Sequence, residues 1–270
     1  MKKKILIAVK TYPLPSTKYT ETVCTAGFDK DGNWIRIYPI PFRLLYGPQQ
    51  YKKYDWIEGP VRKNTQDPRL ESHKIIYKEI KVVGELSTAD NWKARKEIVL
   101  KNGFRTDLTA LIKEAKETNI SLATYKPKQV INFIWKKSDE DYSEKALKDW
   151  EESGKQLSLF QDENDAKLDF KLVKKIPYKF SYVFEDADGT KRTVMIEDWE
   201  VGAAYFNFQE KYRDTSLVLE KMRDKFLTQM LKKDLYFFLG TTRKFHKMGK
   251  NPFIIIGLFY PPVDNEPSLL

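Results

Sequence analysis

The run Glu197-Asp198-Trp199-Glu200 places three carboxylates within four residues. Clustered carboxylates can bind Mg²⁺, which activates water for the hydrolysis of a phosphodiester. The same run precedes a predicted helix, so Asp198 can also cap that helix while Glu197 and Glu200 lie at the positive end of its dipole. We prefer the capping interpretation because it needs no metal, and Asp198 and Glu200 are kept as catalytic candidates.

A second carboxylate pattern combines Asp67 with Glu79-Ile80-Lys81, in a segment whose apolar residues predict a strand. The pattern resembles the core of one large nuclease superfamily. That resemblance implies that the carboxylates of Asp67 and Glu79 hold a metal ion and that Lys81 orients the attacking water. Mg²⁺ would then be the cofactor; apart from this alternative we expect no cofactor and no resident metal.

A basic loop joins two strongly apolar segments, 235–239 and 253–260, which are predicted to be buried strands. Cations neutralise phosphates and an aromatic ring can stack on a base, so the loop has the residue types that contact nucleic acid. These residues are Arg243, Lys244, Phe245, His246 and Lys247. His246 is also kept as a catalytic candidate. The alternative is a solvated hairpin tip with Phe245 folded inward.

Another set of cations is interleaved with aromatic residues in the N-terminal half. Exposed on a strand surface, this mixture would suit a nucleic-acid platform. The predicted contacts are Arg36, Arg43, Lys52, Lys53, Arg62 and Lys63.

The distribution of charge supports a polyanionic partner. The net charge is +10 over 270 residues. Residues 1–135 carry 25 Lys or Arg and 14 Asp or Glu, residues 136–165 carry 5 and 10, and residues 166–270 carry 18 and 14. Two basic regions therefore flank one acidic segment. DNA or another nucleic acid is the partner that this pattern favours.

Strand and helix patterns are mixed along the chain, which predicts an α+β fold. Residues 1–135 are predicted to be a strand-rich basic unit, and residues 136–168 an acidic connector. Residues 169–262 are predicted to form a unit of antiparallel strands and two helices, followed by a polar tail, 263–270. The clearest strand is 178–185, where aromatic residues recur at every second position.

The acidic connector contains the pentapeptide Gln156-Leu157-Ser158-Leu159-Phe160. It resembles the linear motif by which bacterial replication and repair proteins bind the DNA sliding clamp. The resemblance implies that Gln156 is the polar anchor and that Leu157, Leu159 and Phe160 are the apolar anchors. The alternative is that the three apolar side chains pack on the protein's own core. The rest of the chain resembles uncharacterised bacterial proteins through Ile176-Pro177-Tyr178, Glu197-Asp198-Trp199-Glu200 and Phe238-Leu239-Gly240-Thr241-Thr242. That resemblance transfers neither a function nor a catalytic residue.

These patterns leave three hypotheses. The first is a cytoplasmic, bacterial DNA-binding accessory protein, recruited to the clamp or acting in defence against foreign DNA. The second is a metal-dependent nuclease or another enzyme that modifies nucleic acid, and the third is a non-catalytic module that binds protein or nucleotide. The single cysteine, Cys24, excludes an internal disulfide, and no apolar run reaches the roughly 20 residues that span a bilayer. We therefore expect no membrane partner.

Overall fold

The computed structural model describes residues 2–16, 20–45, 47–139, 141–145, 147–148, 150–152 and 172–263. It confirms the α+β fold. The strands are β1 (Lys2–Lys10), β2 (Leu14–Ser16), β3 (Thr20–Phe28), β4 (Trp34–Ile40), β5 (Asp55–Lys63), β6 (Ser72–Ile75), β7 (Lys81–Glu85), β8 (Leu122–Tyr125), β9 (Gln129–Lys137), β10 (Tyr178–Glu185), β11 (Lys191–Met195), β12 (Tyr236–Thr241) and β13 (Phe253–Phe259). The α-helices are α1 (Ala89–Val99), α2 (Leu108–Thr118), α3 (Trp199–Tyr212) and α4 (Thr215–Arg223).

The N-terminal strands close into a barrel of five strands, which we call the first barrel. Its order is β1-β3-β4-β6-β5, and β5 pairs again with β1. All these pairings are antiparallel except that of β4 with β6, which is parallel. When the five barrel strands are counted along the chain, the third (β4) is therefore parallel to the fifth (β6), as in the Greek-key barrel of the oligonucleotide- and oligosaccharide-binding (OB) fold.

The hydrophobic residues of the first barrel alternate between its inside and its outside. On β1, Ile5 and Ile7 belong to the internal core, whereas Leu6 and Ala8 pack on the outside against other elements. This is the period of two expected of a strand. Both faces of β1 are buried, so its sequence reads as one continuous apolar run.

The C-terminal strands form two three-stranded sheets, β11-β10-β9 and β13-β12-β8. Together these sheets repeat the strand order of the first barrel, and we call them the second barrel. β8 and β9 follow one another along the chain; β8 pairs with β12 and β9 pairs with β10. Together, β8 and β9 therefore take the position that β1 has in the first barrel, as the two halves of one bent strand. β10 and β11 are the second and third strands, and β12 and β13 are the fourth and fifth. A parallel bridge between Ile196 and Ile255 joins the end of β11 to β13.

One core fills the second barrel. Phe180, Tyr182 and Phe184 of β10 point into it together with Phe133 of β9. Residues of α2 to α4 complete it, among them Leu111. The domain boundary that we expected at residue 135 therefore lies inside this barrel, because α2, β8 and β9 pack with the C-terminal strands.

The two barrels pack against each other through an apolar interface. Phe238 and Ile256 of the second barrel and Phe28 of the first belong to one buried cluster. Phe237, by contrast, points into the second barrel. β12 is apolar at consecutive positions because one of its faces lines a barrel and the other lines this interface. No helix in the described part of the chain is long and apolar enough to cross a membrane.

Candidate nucleic-acid interface

Barrels of the OB type bind ligands on the outer face of their second and third strands, between the loops that follow the first and fourth strands. In the first barrel these strands are β3 and β4, and the loop after the fourth strand is residues 64–71. In the second barrel they are β10 and β11, and the corresponding loop is residues 242–252. The basic loop Arg243–Lys247, found from sequence, thus lies at a ligand-binding position of the fold.

The second barrel covers one end of the β3–β4 face. There Trp34 packs edge-on against Phe238, with ring centroids 5.2 Å apart. At the other end the face stays open as a cavity of about 290 Å³. We call it the junction cavity. Its lining residues are Thr11, Cys24, Arg36, Tyr38, Arg69, Glu197, Thr241, Thr242, Arg243, Ile254 and Ile256.

Arg36, on β4, is the most deeply buried cation of the junction cavity, with 3% of its surface exposed. Its terminal Nη2 donates to the carbonyl and hydroxyl oxygens of Ser121 at 3.0 and 3.1 Å, and its Nη1 lies 3.4 Å from the Cys24 sulfur. Its Nε has no hydrogen-bond partner among the described residues. Burial lowers the pKa of Arg36, and the nearby Arg69 charge adds to this effect.

Arg69 is fixed by a buried ion pair. Its Nε and Nη2 donate to the two carboxylate oxygens of Asp67 at 2.9 and 2.6 Å. Although burial opposes the charge of Asp67, hydrogen bonds from Arg69 and Ser72 hold its pKa at about 2. The carboxylate that we considered as a metal ligand is therefore occupied by an arginine.

Glu71, which follows Asp67 and Arg69 in the same loop, holds Ser121 in place. Its carboxylate accepts hydrogen bonds from the amide and hydroxyl of Ser121, at 2.8 and 2.7 Å, and from the amide of Leu122 at 3.2 Å. Ser121 thus joins Glu71 to Arg36, while no carboxylate contacts Arg36 directly among the described residues. Arg36 is therefore held by polar contacts with Ser121 and Cys24 rather than by an ion pair.

The tip of the basic loop is exposed. Phe245 and Met248 expose 50% and 61% of their surfaces, and Arg243, Lys244 and Lys247 are also exposed. The alternative of a Phe245 ring folded inward is therefore wrong. The Lys244 Nζ lies 5.3 Å from the centre of the Phe245 ring, so cation and aromatic surface are adjacent.

His246 does not share this exposure, and its predicted direct contact with nucleic acid is incompatible with the structure. Only 2% of its surface is exposed. Its Nδ1 lies 2.9 Å from the Thr241 hydroxyl, which ties the loop to the end of β12. Burial lowers the pKa of His246, and the charge of Arg69 lowers it further. His246 positions the loop rather than presenting a cation.

The outer face of β10 and β11 is lined by polar and basic side chains that sequence reasoning did not select. Lys179 on β10 lies opposite Lys136 on β9, and both are exposed. Thr193 and Lys191 on β11 are exposed as well. The period of two in β10 was the available signal, because Lys179 and Ser181 alternate with the aromatic residues that face the core, although Val183 on the same outer side is buried.

The N-terminal cations predicted to form one platform are spread around the first barrel. Arg36 lines the junction cavity, whereas the Lys53 Nζ is bound by Glu200 at 3.2 Å and by the Leu258 carbonyl oxygen at 2.7 Å. The others are not on the β3–β4 face: Arg43 lies in a short helical turn, Lys52 precedes β5, and Arg62 and Lys63 are at the end of β5. A single N-terminal platform is therefore not formed.

The structure gives different outcomes for the two carboxylate patterns. Asp198 caps α3 by accepting a hydrogen bond from the Glu200 amide at 2.8 Å, so the preferred capping interpretation is confirmed. Glu79 was expected on a strand with Lys81, but it lies in the short 3-10 helix Tyr77–Glu79. Within the described ranges no three His, Cys, Asp or Glu residues are grouped as a metal site would require.

The clamp-like pentapeptide Gln156–Phe160 lies outside the described residues, in the connection between β9 and β10. Its predicted role as a docking segment therefore stays a prediction.

Two protein-family models match the chain, one for each barrel. Residues 1–101 match a domain of unknown function (DUF8758), and residues 105–269 match a domain of unknown function (DUF8757). No curated protein matches the chain. Because the second match spans more than half of its length, the chain belongs to the family of the domain of unknown function DUF8757.

Proposed function

We propose that this protein binds single-stranded nucleic acid, most simply DNA, across the ligand faces of its two barrels. The observation that carries the proposal is the position of the basic loop. An exposed aromatic residue, Phe245, and three exposed cations stand on the loop that borders the ligand face of an OB-type barrel. Fold alone does not fix a ligand class, so the charge of this loop is what favours a polyanion.

Single strands are favoured over duplexes because their bases are available for stacking. Proteins that bind single-stranded nucleic acid combine a cationic groove that follows the nucleic-acid backbone with aromatic rings that stack on the bases. Arg243, Lys244 and Lys247 supply the cations, Phe245 supplies a ring, and Lys179 and Lys136 extend the positive surface across β10 and β9.

Binding of a fluorescent oligothymidylate, measured by anisotropy, tests the proposal. A duplex of the same length serves as competitor. We expect the single strand to bind and the duplex to compete poorly. Absence of binding at low salt, or equal competition by the duplex, would reject single-strand recognition.

We also propose that the protein works in a bacterial cytoplasm, where Gln156–Phe160 recruits it to the sliding clamp during repair or defence against foreign DNA. The support is the motif and its position between two strands of the second barrel. Capture of the protein on immobilised clamp should be lost on Phe160→Ala. Capture that survives this substitution would reject the docking role.

A further inference from the structure

The junction cavity holds a cation whose hydrogen-bonding capacity is incompletely used. Arg36 is 3% exposed, and no described carboxylate pairs with it. Its Nε has no partner in the described part of the chain. Burial of a charged group without full compensation is costly, so an arrangement of this kind points to a missing anionic partner.

The side chains around Arg36 suit an oxyanion. Arg69 and Arg243 line the same cavity, and the Thr242 hydroxyl, which also lines it, is buried without a described partner. Asp67 and Glu71 are already saturated by Arg69 and Ser121, so they position the arginines. Glu197 is the one carboxylate among the described lining residues, and burial raises its pKa.

The lining also includes residues that suit a less polar group. These are Ile254, Ile256 and Tyr38. Arginine presents a planar fork of donors that matches the geometry of phosphate oxygens. A volume of about 290 Å³ accommodates one phosphate together with a sugar and a base.

We infer that the junction cavity binds a phosphate monoester of the kind carried by a nucleotide, with Arg36 and Arg243 as its principal donors. The inference deepens the proposed function and rests on it for the nature of the ligand. Two sources share this chemistry, the terminal phosphate of a nucleic-acid strand and a free mononucleotide. The cavity is distinct from the exposed loop tip, since it is built from both barrels.

Cys24 provides a direct test, because it is the single cysteine of the chain and lines the cavity. Its rate of alkylation by iodoacetamide would be measured with the full chain in inorganic phosphate, in thymidine monophosphate, in thymidine and in sodium chloride of equal ionic strength. We expect the two phosphate compounds to slow alkylation about 5-fold or more, and thymidine and chloride to leave it unchanged. Equal rates in all four solutions would overturn the inference.

A pair of variants checks that protection arises in the cavity. Arg243→Gln removes an exposed lining cation, and Arg223→Gln removes an exposed cation from α4 as a matched control. The first variant should need roughly 10-fold more phosphate for half-protection, and the second should behave as the native protein. Arg36→Lys should also weaken protection, because lysine keeps the charge but loses the fork. Protection unchanged in Arg243→Gln and Arg36→Lys would contradict the assignment.

Oligothymidylates with a 5′-phosphate and with a 5′-hydroxyl distinguish the two sources. A strand end as ligand predicts about 10-fold tighter binding of the phosphorylated oligonucleotide. A free nucleotide as ligand predicts equal binding of both oligonucleotides, although the two phosphate compounds still protect Cys24. If the 5′-hydroxyl strand binds while no phosphate compound protects Cys24, the cavity inference fails and the proposed function stands. If Cys24 is protected but no strand binds, the proposed function fails.

Discussion

The Nη1 of Arg69 donates to the carbonyl oxygen of Thr241 at 2.6 Å. This hydrogen bond joins the loop between β5 and β6 of the first barrel to the end of β12, where the basic loop of the second barrel begins. Both loops occupy the same position in their respective barrels, after the fourth strand. The edges that correspond to the ligand-binding edge of the OB fold are therefore fixed next to each other in the two barrels, with the junction cavity between them.

Removal of Arg69 should destabilise the protein strongly. Asp67 exposes 4% of its surface and would lose its ion pair and several charge-assisted hydrogen bonds. We expect Arg69→Met to lower the free energy of unfolding by about 3–5 kcal/mol, measured by urea denaturation. Arg105→Met is the control, since the Arg105–Glu114 pair is solvent-exposed and should contribute about 0–1 kcal/mol. Equal effects of both substitutions would show that the Asp67–Arg69 pair is not a structural link.

Asp198 should make stability depend on pH. Burial raises its pKa from 3.8 to about 7, and Lys53 only partly offsets this. Between these two pKa values the unfolded chain has released the Asp198 proton while the folded chain still keeps it. The contribution of Asp198 to the free energy of unfolding is therefore fully present below about pH 4 and is lost as the pH rises to about 7. The free energy of unfolding should fall on the order of 1 kcal/mol per pH unit from this group.

The variant Asp198→Asn isolates this effect, because asparagine also caps helices and does not titrate. Thermal unfolding of both proteins between pH 5 and 8 is the measurement. The variant should show a flatter profile than the native protein. Parallel profiles would mean that Asp198 does not keep a proton in the folded state.

Phe245 should contribute to affinity through stacking. Half of its surface is exposed, so Phe245→Ala should leave the melting temperature nearly unchanged. Loss of one stacked base weakens binding of a single strand by about 1–3 kcal/mol. Phe104→Ala is a matched control, because Phe104 exposes 44% of its surface and belongs neither to the basic loop nor to strands β10 and β11. A similar loss of affinity in the two variants would argue against stacking by Phe245.

The fold class and the main strands of the second barrel could be predicted from local patterns. Tyr178, Phe180, Tyr182 and Phe184 recur at every second position, and this period of two follows directly from a strand whose aromatic face is buried. The boundary between the barrels could not be predicted in this way. β8 has no separate core, and its place is decided by pairing with β12, more than 110 residues later.

The junction cavity also could not be predicted from local sequence patterns. Arg36 looked like one of several surface cations, because the sequence does not show that Ser121, 85 residues away, packs against it. The basic loop was found because its cations and its aromatic residue are contiguous. His246 lies in the same contiguous run, so we predicted that it would also be exposed on the loop. In the structure its ring is buried and contacts the Thr241 hydroxyl.

The salt dependence of single-strand binding is the sharpest test of nucleic-acid binding by the basic loop. The measurement compares a triple variant of the basic loop, Arg243→Gln with Lys244→Gln and Lys247→Gln, with the native protein. A control removes three exposed cations from helices: Lys113, Lys116 and Arg223, each replaced by glutamine. Each phosphate contact contributes about 0.7 to the slope of log K against log salt for a single strand.

We expect the loop variant to bind oligothymidylate more weakly and to reduce the magnitude of the slope by about 2, and the control to keep the native slope. The same slope and affinity in the loop variant and the control would contradict nucleic-acid binding by this loop.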